Sequence, residues 1–166
     1  LVDPERGVLK DFSEIDVVGH RLVHGGEKFT GSVVITGEVI QAMTECNDLA
    51  PLHNPANLVG VAACRERMPD ILTVGVFDTA FNQTMKPKEF LYGLPYRFYE
   101  KLKIRRYGFH GISHKYVSRR AAEFMGQDYR RVKTIVCHLG NGASICAVKY
   151  GQVVDNSMGF TPLEGL

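Results

Sequence analysis

The chain has 166 residues, of which 45% are hydrophobic and 23% charged, a composition typical of globular proteins. Its formal net charge of +2 is too small to indicate a nucleic-acid partner, and its arginine pairs are spread along the chain. No apolar run approaches the ~18 residues that a membrane span requires, and no signal peptide opens the chain. We therefore expect a cytoplasmic protein that binds neither nucleic acid nor a membrane.

The first half of the chain alternates between strand and helix patterns. Residues 16–24 have a strand pattern, and residues 38–50 place apolar side chains at helical spacing. A second helix is predicted over residues 54–68, with Asn54 as its N-cap and a proline at the first helical position. The almost wholly apolar run of residues 71–77 predicts a strand that is buried on both faces. Strand, helices and strand in this order predict an α/β domain.

The second half begins after a segment rich in lysine, proline and glycine, residues 86–95, which predicts a domain boundary. Beyond it, Ser113 is a candidate cap for a helix over residues 114–125, and Gly126 would end that helix. Three segments with strand patterning and tight turns then predict an antiparallel meander: residues 134–138, 143–149 and 152–155.

The cysteines and the chain ends carry further information. No two cysteines form a C-x-x-C pair and each lies in an apolar run, which predicts buried, free thiols in a reducing compartment: Cys46, Cys64, Cys137 and Cys146. The sequence opens without a methionine and closes in mid-motif at Leu166. We therefore expect a fragment of a longer protein.

A glycine-rich turn, residues 138–144, is the sharpest local feature. Glycines on both sides of Asn141 allow positive φ and remove the Cβ atoms that would keep a ligand away. Converging backbone N–H groups in such a turn can bind a phosphate, although Asn-Gly is also the commonest dipeptide of a plain hairpin. The turn is not a P-loop and does not open a helix, so neither of those nucleotide motifs is present.

Two charged residues lie in or next to predicted strands. Asp78 follows the apolar run 71–77, and ligands of open α/β sheets bind outside the carboxyl ends of strands. A carboxylate there can orient a nucleophile or help to hold a metal, but an aspartate can also cap the turn that follows. Arg21 interrupts an apolar strand, where its planar fork would suit a carboxylate or phosphate. On alternation alone, an arginine that points to solvent is favoured over a functional one.

Two pairs of histidines, His20/His24 and His110/His114, share the i, i+4 spacing that can bind zinc on a helix. The first pair lies in a strand pattern, a glycine interrupts the second, and neither has the glutamate of H-E-x-x-H. A zinc site is therefore disfavoured. For His110, a structural role and a catalytic role both remain open.

Six longer sequence segments that contain these residues resemble motifs of the acetokinase family, and they occur in the same order as in that family. They are residues 19–26, 50–55, 76–81, 106–111, 138–144 and 159–166. The resemblance implies an α/β fold, the actin-like ATPase and sugar kinase superfold with two related domains. It assigns residues 1–84 to an N-terminal, carboxylate-binding domain and residues 85–166 to the start of a C-terminal, nucleotide-binding domain.

The resemblance also implies an activity and a site. Members transfer the γ-phosphoryl group of ATP to acetate, forming acetyl phosphate and ADP. By resemblance, Asp78 and His110 would be catalytic and Arg21 would bind the carboxylate of the substrate. The same resemblance assigns a pocket for the methyl group and a loop for the ATP phosphates: Val23, Leu52, Phe109 and Pro162 for the pocket, and His138, Leu139, Gly140, Asn141 and Gly142 for the loop.

Several parts of the family's site have no counterpart in this chain. They are the opening phosphate loop, a second catalytic arginine, the later adenosine-binding glycines and a metal-associated glutamate. The resemblance therefore implies ATP/ADP and Mg²⁺ as ligands, with the metal held mostly outside these residues, a homodimer as the full-length enzyme, and an inactive isolated chain. Two alternatives remain. One is a kinase for propionate or another short carboxylate, and the other is a non-catalytic module that binds an anion or a partner.

Overall fold

Two three-stranded sheets organise the chain, one in each half, in a computed structural model that describes residues 1–166. The strands are β1 Val17–Leu22, β2 Val33–Val34, β3 Leu72–Phe77, β4 Lys133–Leu139, β5 Ala143–Lys149 and β6 Gln152–Asn156. The helices are α1 Gly37–Thr44, α2 Asn54–Arg67, α3 Pro87–Phe90, α4 Arg97–Leu102 and α5 Gly111–Phe124. The predicted α/β class is confirmed. None of the helices is both long and apolar enough to cross a membrane.

The first sheet has the order β1-β3-β2, with β1 parallel to β3 and β2 antiparallel to it. Leu22 at the end of β1 is paired with Phe77 at the end of β3. The backbone N–H of Asp78 continues the ladder by donating to the carbonyl of Leu22 at 2.8 Å. Since the carboxyl ends of parallel strands meet at one edge, the residues around 21 and 78 are brought together there.

The second sheet is the predicted meander, with the order β4-β5-β6 and antiparallel pairing throughout. Tyr150 and Gly151 connect β5 to β6 with φ of 56° and 80°. Positive φ at both central residues is the conformation whose twist suits a two-residue hairpin, so the predicted tight turn is confirmed.

Two predicted helix starts are wrong for the same reason. The cap position of α2 is His53, and the buried side chain of Asn54 instead bonds both backbone groups of His24, at 3.1 and 3.0 Å. Helix α5 begins at Gly111, so Ser113 lies in its first turn, and its hydroxyl lies 2.8 Å from Nδ1 of His138. In both places a side chain finds a distant partner in preference to the adjacent backbone, which local capping rules do not anticipate.

Three other predictions need correction. The helix predicted over residues 38–50 ends at Thr44, and a 3-10 turn follows at Asn47–Leu49. Strand β3 is buried fully on one face only, with Leu72 half exposed. Of the cysteines, only Cys46 and Cys146 are buried, and Cys137 is exposed because it lies on the outward face of the edge strand β4.

Each sheet has its own hydrophobic core. The first core packs α1 and α2 on the sheet and includes the rings of Phe29 and Phe77, stacked with centroids 4.3 Å apart. The second core joins β5 and β6 to Phe81 and Met85 in or beside the 3-10 turn Ala80–Thr84. That turn comes directly after β3, so the end of the first sheet is attached to the second core.

Candidate active site

The site is built on the edge where β1 and β3 end side by side. Arg21 Nη2 lies 3.0 Å from Oδ2 of Asp78, in an ion pair whose arginine side chain is 59% exposed and whose carboxylate is only 5% exposed. The guanidinium therefore keeps N–H groups that face solvent and can meet an anion. Arg21 is exposed and also paired with a carboxylate, which is compatible with both sequence-based interpretations and decides neither.

Asp78 also holds the start of α5. Its Oδ2 accepts the backbone N–H of His110 at 2.8 Å, and its backbone carbonyl accepts that of Gly111 at 2.9 Å. His110 is the cap residue of α5 and has a left-handed backbone, with φ of 57°. None of the hydrogen bonds of the Asp78 side chain goes to the turn that follows it, so the turn-cap interpretation is wrong.

The ring of His110 belongs to a group of three histidines. It lies over the ring of His138 with centroids 4.0 Å apart, and its Nδ1 is 2.8 Å from Ser144 Oγ. His114 contacts the same hydroxyl from the other side. Burial, then the neighbouring His138 and Arg21, lower the pKa of His110, and Asp78 opposes the shift only in part. His110 is therefore neutral at neutral pH.

The turn between β4 and β5 approaches this ring closely. A Cβ placed on Gly142 would lie 3.1 Å from Cε1 and Nε2 of His110, tighter than an ordinary contact. The positive φ expected for the two glycines is wrong, since neither Gly140 nor Gly142 is among the left-handed residues. The absence of a side chain at Gly142 is required for the close approach to His110, not for the backbone conformation.

These elements surround a cleft of about 460 Å³. Most of the predicted site residues line it: Arg21, Val23, Asp78, Phe109, His110, Asn141, Gly142 and Pro162. The structure does not bring Leu52, His138, Leu139 or Gly140 to its wall. Leu52 is 86% exposed and Leu139 is 74% exposed, so neither forms part of an apolar pocket in this structure. His138 acts on the cleft only through its stacking on His110.

One side of the cleft is apolar. Val23, Phe109 and Met158 form a small buried cluster, and all three line the cleft next to the charged pair. Asn156 supports this cluster, because its side chain donates to the carbonyl of Phe109 at 3.1 Å and accepts the N–H of Met158 at 2.9 Å. A charged anchor beside a small apolar surface suits a short carboxylate with an alkyl tail.

A second cavity of about 210 Å³ lies behind the start of α5. It has Lys115 and Arg119 on one wall and no carboxylate. The first cleft is the better candidate because an arginine, a carboxylate, a histidine and a glycine turn converge there.

Comparison with known proteins agrees with this geometry. The sequence model of the acetokinase family matches residues 3–166. The chain belongs to the acetokinase family. Its sequence is 64% identical over all 166 residues to the acetate kinase of Agathobacter rectalis, and covers 42% of that relative.

Solved structures similar to this chain identify its fold. The Porphyromonas gingivalis acetate kinase structure matches 99% of the chain with a TM-score of 0.95 and 57% identity, the chain covering 41% of it. A propionate kinase from Francisella tularensis matches 93% of the chain with a TM-score of 0.88 and 48% identity, 40% of that protein being covered. The acetokinase chain thus has the predicted actin-like ATPase and sugar kinase fold, and it spans about two fifths of the length of these relatives.

Sequence reasoning missed several residues that shape the site of this acetokinase chain. Ser144 and His114 contact His110 directly or through one hydroxyl, and Met158 completes the apolar cluster. Asn82 and Asn156 are buried and joined by a 3.1 Å hydrogen bond beneath Phe109. Two signals were available: Ser144 closes the glycine-rich segment, and His114 was considered only as a possible zinc partner of His110. The other residues lie in patterns with no distinguishing feature.

We expect Gly111→Ala to destabilise the intact protein by about 1–3 kcal/mol, because overpacking a tight contact forces backbone to move. A Cβ at Gly111 would overlap the carbonyl oxygen of Asp78, which cannot rotate away. Gly60→Ala is the matched control, since Gly60 lies inside α2 with nothing within 4 Å of an added Cβ. This control should stabilise by about 0.5–1 kcal/mol. Thermal unfolding of both variants measures the contrast, and equal effects would contradict it.

Proposed function

We propose that this acetokinase chain contributes the carboxylate-binding side and part of the phosphate-binding side of a longer kinase. That enzyme transfers the γ-phosphoryl group of ATP to acetate, reversibly forming acetyl phosphate and ADP. The observation that carries the proposal is the convergence of Arg21, Asp78 and His110 beside a small apolar cluster and a glycine turn. The acetate kinases among the relatives support the same reaction.

Acetate would bind with its carboxylate at Arg21 and its methyl group toward Val23, Phe109 and Pro162. Arg21 already has its guanidinium oriented by Asp78, so less conformational freedom is lost when substrate binds. A carboxylate is a nucleophile without further deprotonation. Its oxygen would attack the γ-phosphorus, forming an O–P bond while the bond to the β,γ-bridging oxygen breaks and ADP leaves.

The opposite wall would stabilise the phosphoryl group in flight. Of the turn His138–Leu139–Gly140–Asn141–Gly142, Asn141 and Gly142 line the cleft together with His110, and His138 stacks on the ring of His110. In phosphoryl transfer, a protein contributes mainly by positioning the reactants and by placing hydrogen-bond donors around the developing charge. An arginine, an imidazole and backbone amides of a glycine-rich turn are suitable groups.

The residues present fit a Mg²⁺ ion whose ligands come mainly from other parts of the enzyme. Asp78 is the one carboxylate that lines the cleft, and both of its hydrogen bonds use Oδ2, so Oδ1 is available. Mg²⁺ is bound in such sites by one or two carboxylates, waters and nucleotide phosphates. When bound with ATP, the ion would neutralise phosphate charge, and Asp78 with Asn141 would be the nearest oxygen ligands of this chain.

Propionate is the alternative substrate, supported by the propionate kinase among the structural neighbours. One methylene group in an apolar pocket changes the free energy of binding by only about 1–3 kcal/mol, so the pocket alone does not decide the preference. Measuring kcat/KM of the full-length enzyme for a series of carboxylates from formate to butyrate distinguishes the two. A maximum at propionate or beyond would replace acetate as the proposed substrate.

The 166-residue chain by itself should form no acetyl phosphate above background, whereas the full-length enzyme that contains it should be active. We propose this because the remaining phosphate loop, the adenosine site and a second arginine belong to other parts of such enzymes, and removing one such group commonly costs about 3–4 kcal/mol. ATP-dependent acetyl phosphate formation, trapped as the hydroxamate, measures both.

An active isolated chain, or an inactive full-length protein that still binds an anion or a partner, would contradict the proposal. The second outcome would favour a non-catalytic module. The domain boundary near residue 85 rests on the lysine-, proline- and glycine-rich segment 86–95 and on the resemblance, and the homodimer on the resemblance alone. Limited proteolysis would test the boundary, and sedimentation velocity of the full-length protein would test the dimer.

A further inference from the structure

Ser144 and His114 lie behind His110, outside the cleft. Both are fully buried, and neither lines the cleft wall. Ser144 Oγ is 2.8 Å from Nδ1 of His110 and 2.8 Å from Nε2 of His114. The two residues therefore have no direct access to a substrate, and any effect they have on the chemistry passes through His110.

The hydroxyl of Ser144 has one proton for two ring contacts. At these distances both contacts are hydrogen bonds. If Oγ accepted from both rings, its own buried proton would have no partner, so Oγ donates to one ring and accepts from the other. In one arrangement His114 Nε2–H donates to Ser144, and Ser144 donates to Nδ1 of His110. In the reverse arrangement His110 Nδ1–H donates to Ser144, and Ser144 donates to a bare Nε2 of His114.

The second ring nitrogen of His114 distinguishes the two arrangements. Its Nδ1 is buried and has no hydrogen-bond partner. The reverse arrangement would place an N–H there, and a buried donor without a partner costs about 1–3 kcal/mol. The first arrangement leaves only a lone pair at Nδ1, and unpaired acceptors are tolerated better than unpaired donors. The surroundings of His114 therefore favour donation from its Nε2 to Ser144.

Charge does not alter this choice at neutral pH. Burial, then the neighbouring His110 and His138, lowers the pKa of His114 to about 4. In the favoured arrangement Nδ1 of His110 accepts from Ser144, so that nitrogen carries no proton. Each ring therefore carries a single ring N–H, and the hydrogen bonds decide which nitrogen holds it.

The consequence appears at the cleft. If Nδ1 of His110 accepts from Ser144, the proton of His110 is on Nε2. The atoms Cε1 and Nε2 are those nearest to Gly142, at 3.1 Å from the position of an added Cβ, and both residues line the cleft. Nε2–H can donate to an anionic oxygen there, whereas the reverse tautomer would present a lone pair to it.

We propose that His114 and Ser144 are positioning residues that hold a neutral His110 in its Nε2–H tautomer, so that His110 donates a hydrogen bond to the transferring phosphoryl group. The identity of that acceptor rests on the proposed function. The tautomer rests on the hydrogen bonds of the three side chains and on a neutral His114, so different experiments test the two parts.

Nitrogen-15 NMR of the full-length enzyme with labelled histidine reads the tautomer directly. The signals of His110 and His114 are assigned by their absence in His110→Gln and His114→Gln. At neutral pH we expect the proton on Nε2 and a bare, hydrogen-bonded Nδ1 in His110, and the proton on Nε2 in His114. A proton on Nδ1 of His110 overturns the proposal, whatever the activity of the enzyme.

Two substitutions of His114 test whether this residue positions His110 or only fills space in the core. The amide of His114→Gln reaches about as far as Nε2 and can donate to Ser144, whereas His114→Leu fills space and cannot. Leucine should lower kcat at least about tenfold with KM for acetate nearly unchanged, and glutamine should restore most of kcat. In the leucine variant Ser144 can accept, so a population of His110 with Nδ1–H should appear in the spectrum.

Equal losses of kcat in both variants, with the His110 spectrum unchanged, are the result of a structural role and overturn the proposal. If His114→Leu does not fold, Ser144→Ala provides the same two readouts. If the full-length enzyme does not phosphorylate acetate, the proposed function fails, while the ring-nitrogen spectrum still decides the tautomer.

Discussion

Arg21→Ala is expected to lower kcat/KM of the full-length enzyme for acetate at least about 100-fold, equivalent to about 2.7 kcal/mol of transition-state stabilisation. Arg21 is the one arginine or lysine that lines the cleft, and its side chain is 59% exposed. Its loss removes charge from the bound carboxylate and from the transition state alike. Both kcat and KM should therefore change, as measured by acetyl phosphate formation at varied acetate concentration.

Lysine at position 21 should recover little of this loss, because a point charge cannot donate to Asp78 and to a carboxylate with the fixed geometry of a guanidinium. Arg65→Ala is a matched control, since Arg65 is an exposed arginine on α2 that does not line the cleft. It should leave kcat/KM within about twofold of wild type. Wild-type kinetics for Arg21→Ala would remove Arg21 from the site.

Local patterns predicted the second sheet well because its strands are consecutive in the chain and pair with their sequence neighbours. The hairpin at Tyr150-Gly151 has both positive φ angles that its turn type requires, and period-two patterning marks β4 to β6. The helix starts were not predictable in the same way. Gly111 begins α5 because its N–H reaches the carbonyl of Asp78, a partner 33 residues earlier in the chain.

The site was predictable only in part from single residues. Arg21 and Asp78 are separated by 57 positions. Taken alone, Arg21 could be a solvent-exposed residue and Asp78 could be the cap of a turn. Parallel pairing of β1 with β3 brings them within 3.0 Å, which no local pattern encodes. The shared contact of Ser144 and His114 with His110 was missed, because the spacing of the two histidines indicated only a possible zinc pair and their hydrogen bonds to one serine hydroxyl are not encoded locally. The catalytic roles of Asp78 and His110 stay predictions.

Asp78→Asn is expected to reduce kcat of the full-length enzyme at least about 100-fold while the protein stays folded. Asparagine has the same size and can still accept the N–H of His110 through its amide oxygen. It cannot supply the negative charge that orients Arg21, nor a carboxylate oxygen for a magnesium ion. Because Arg21 is more than half exposed, water can solvate it when the pair is broken, which limits the loss of stability to about 1 kcal/mol.

The melting temperature should therefore fall by no more than about 4 °C. Asp155→Asn is the matched control, because it breaks a pair of similar length, 2.9 Å to Arg106, whose carboxylate is 65% exposed and lies outside the cleft. Turnover of this control should stay near wild type. If Asp78 served only to hold the start of α5, asparagine would keep that hydrogen bond, and turnover would stay near wild type. Measuring melting temperature and turnover on both variants decides whether Asp78 takes part in catalysis or only stabilises the fold.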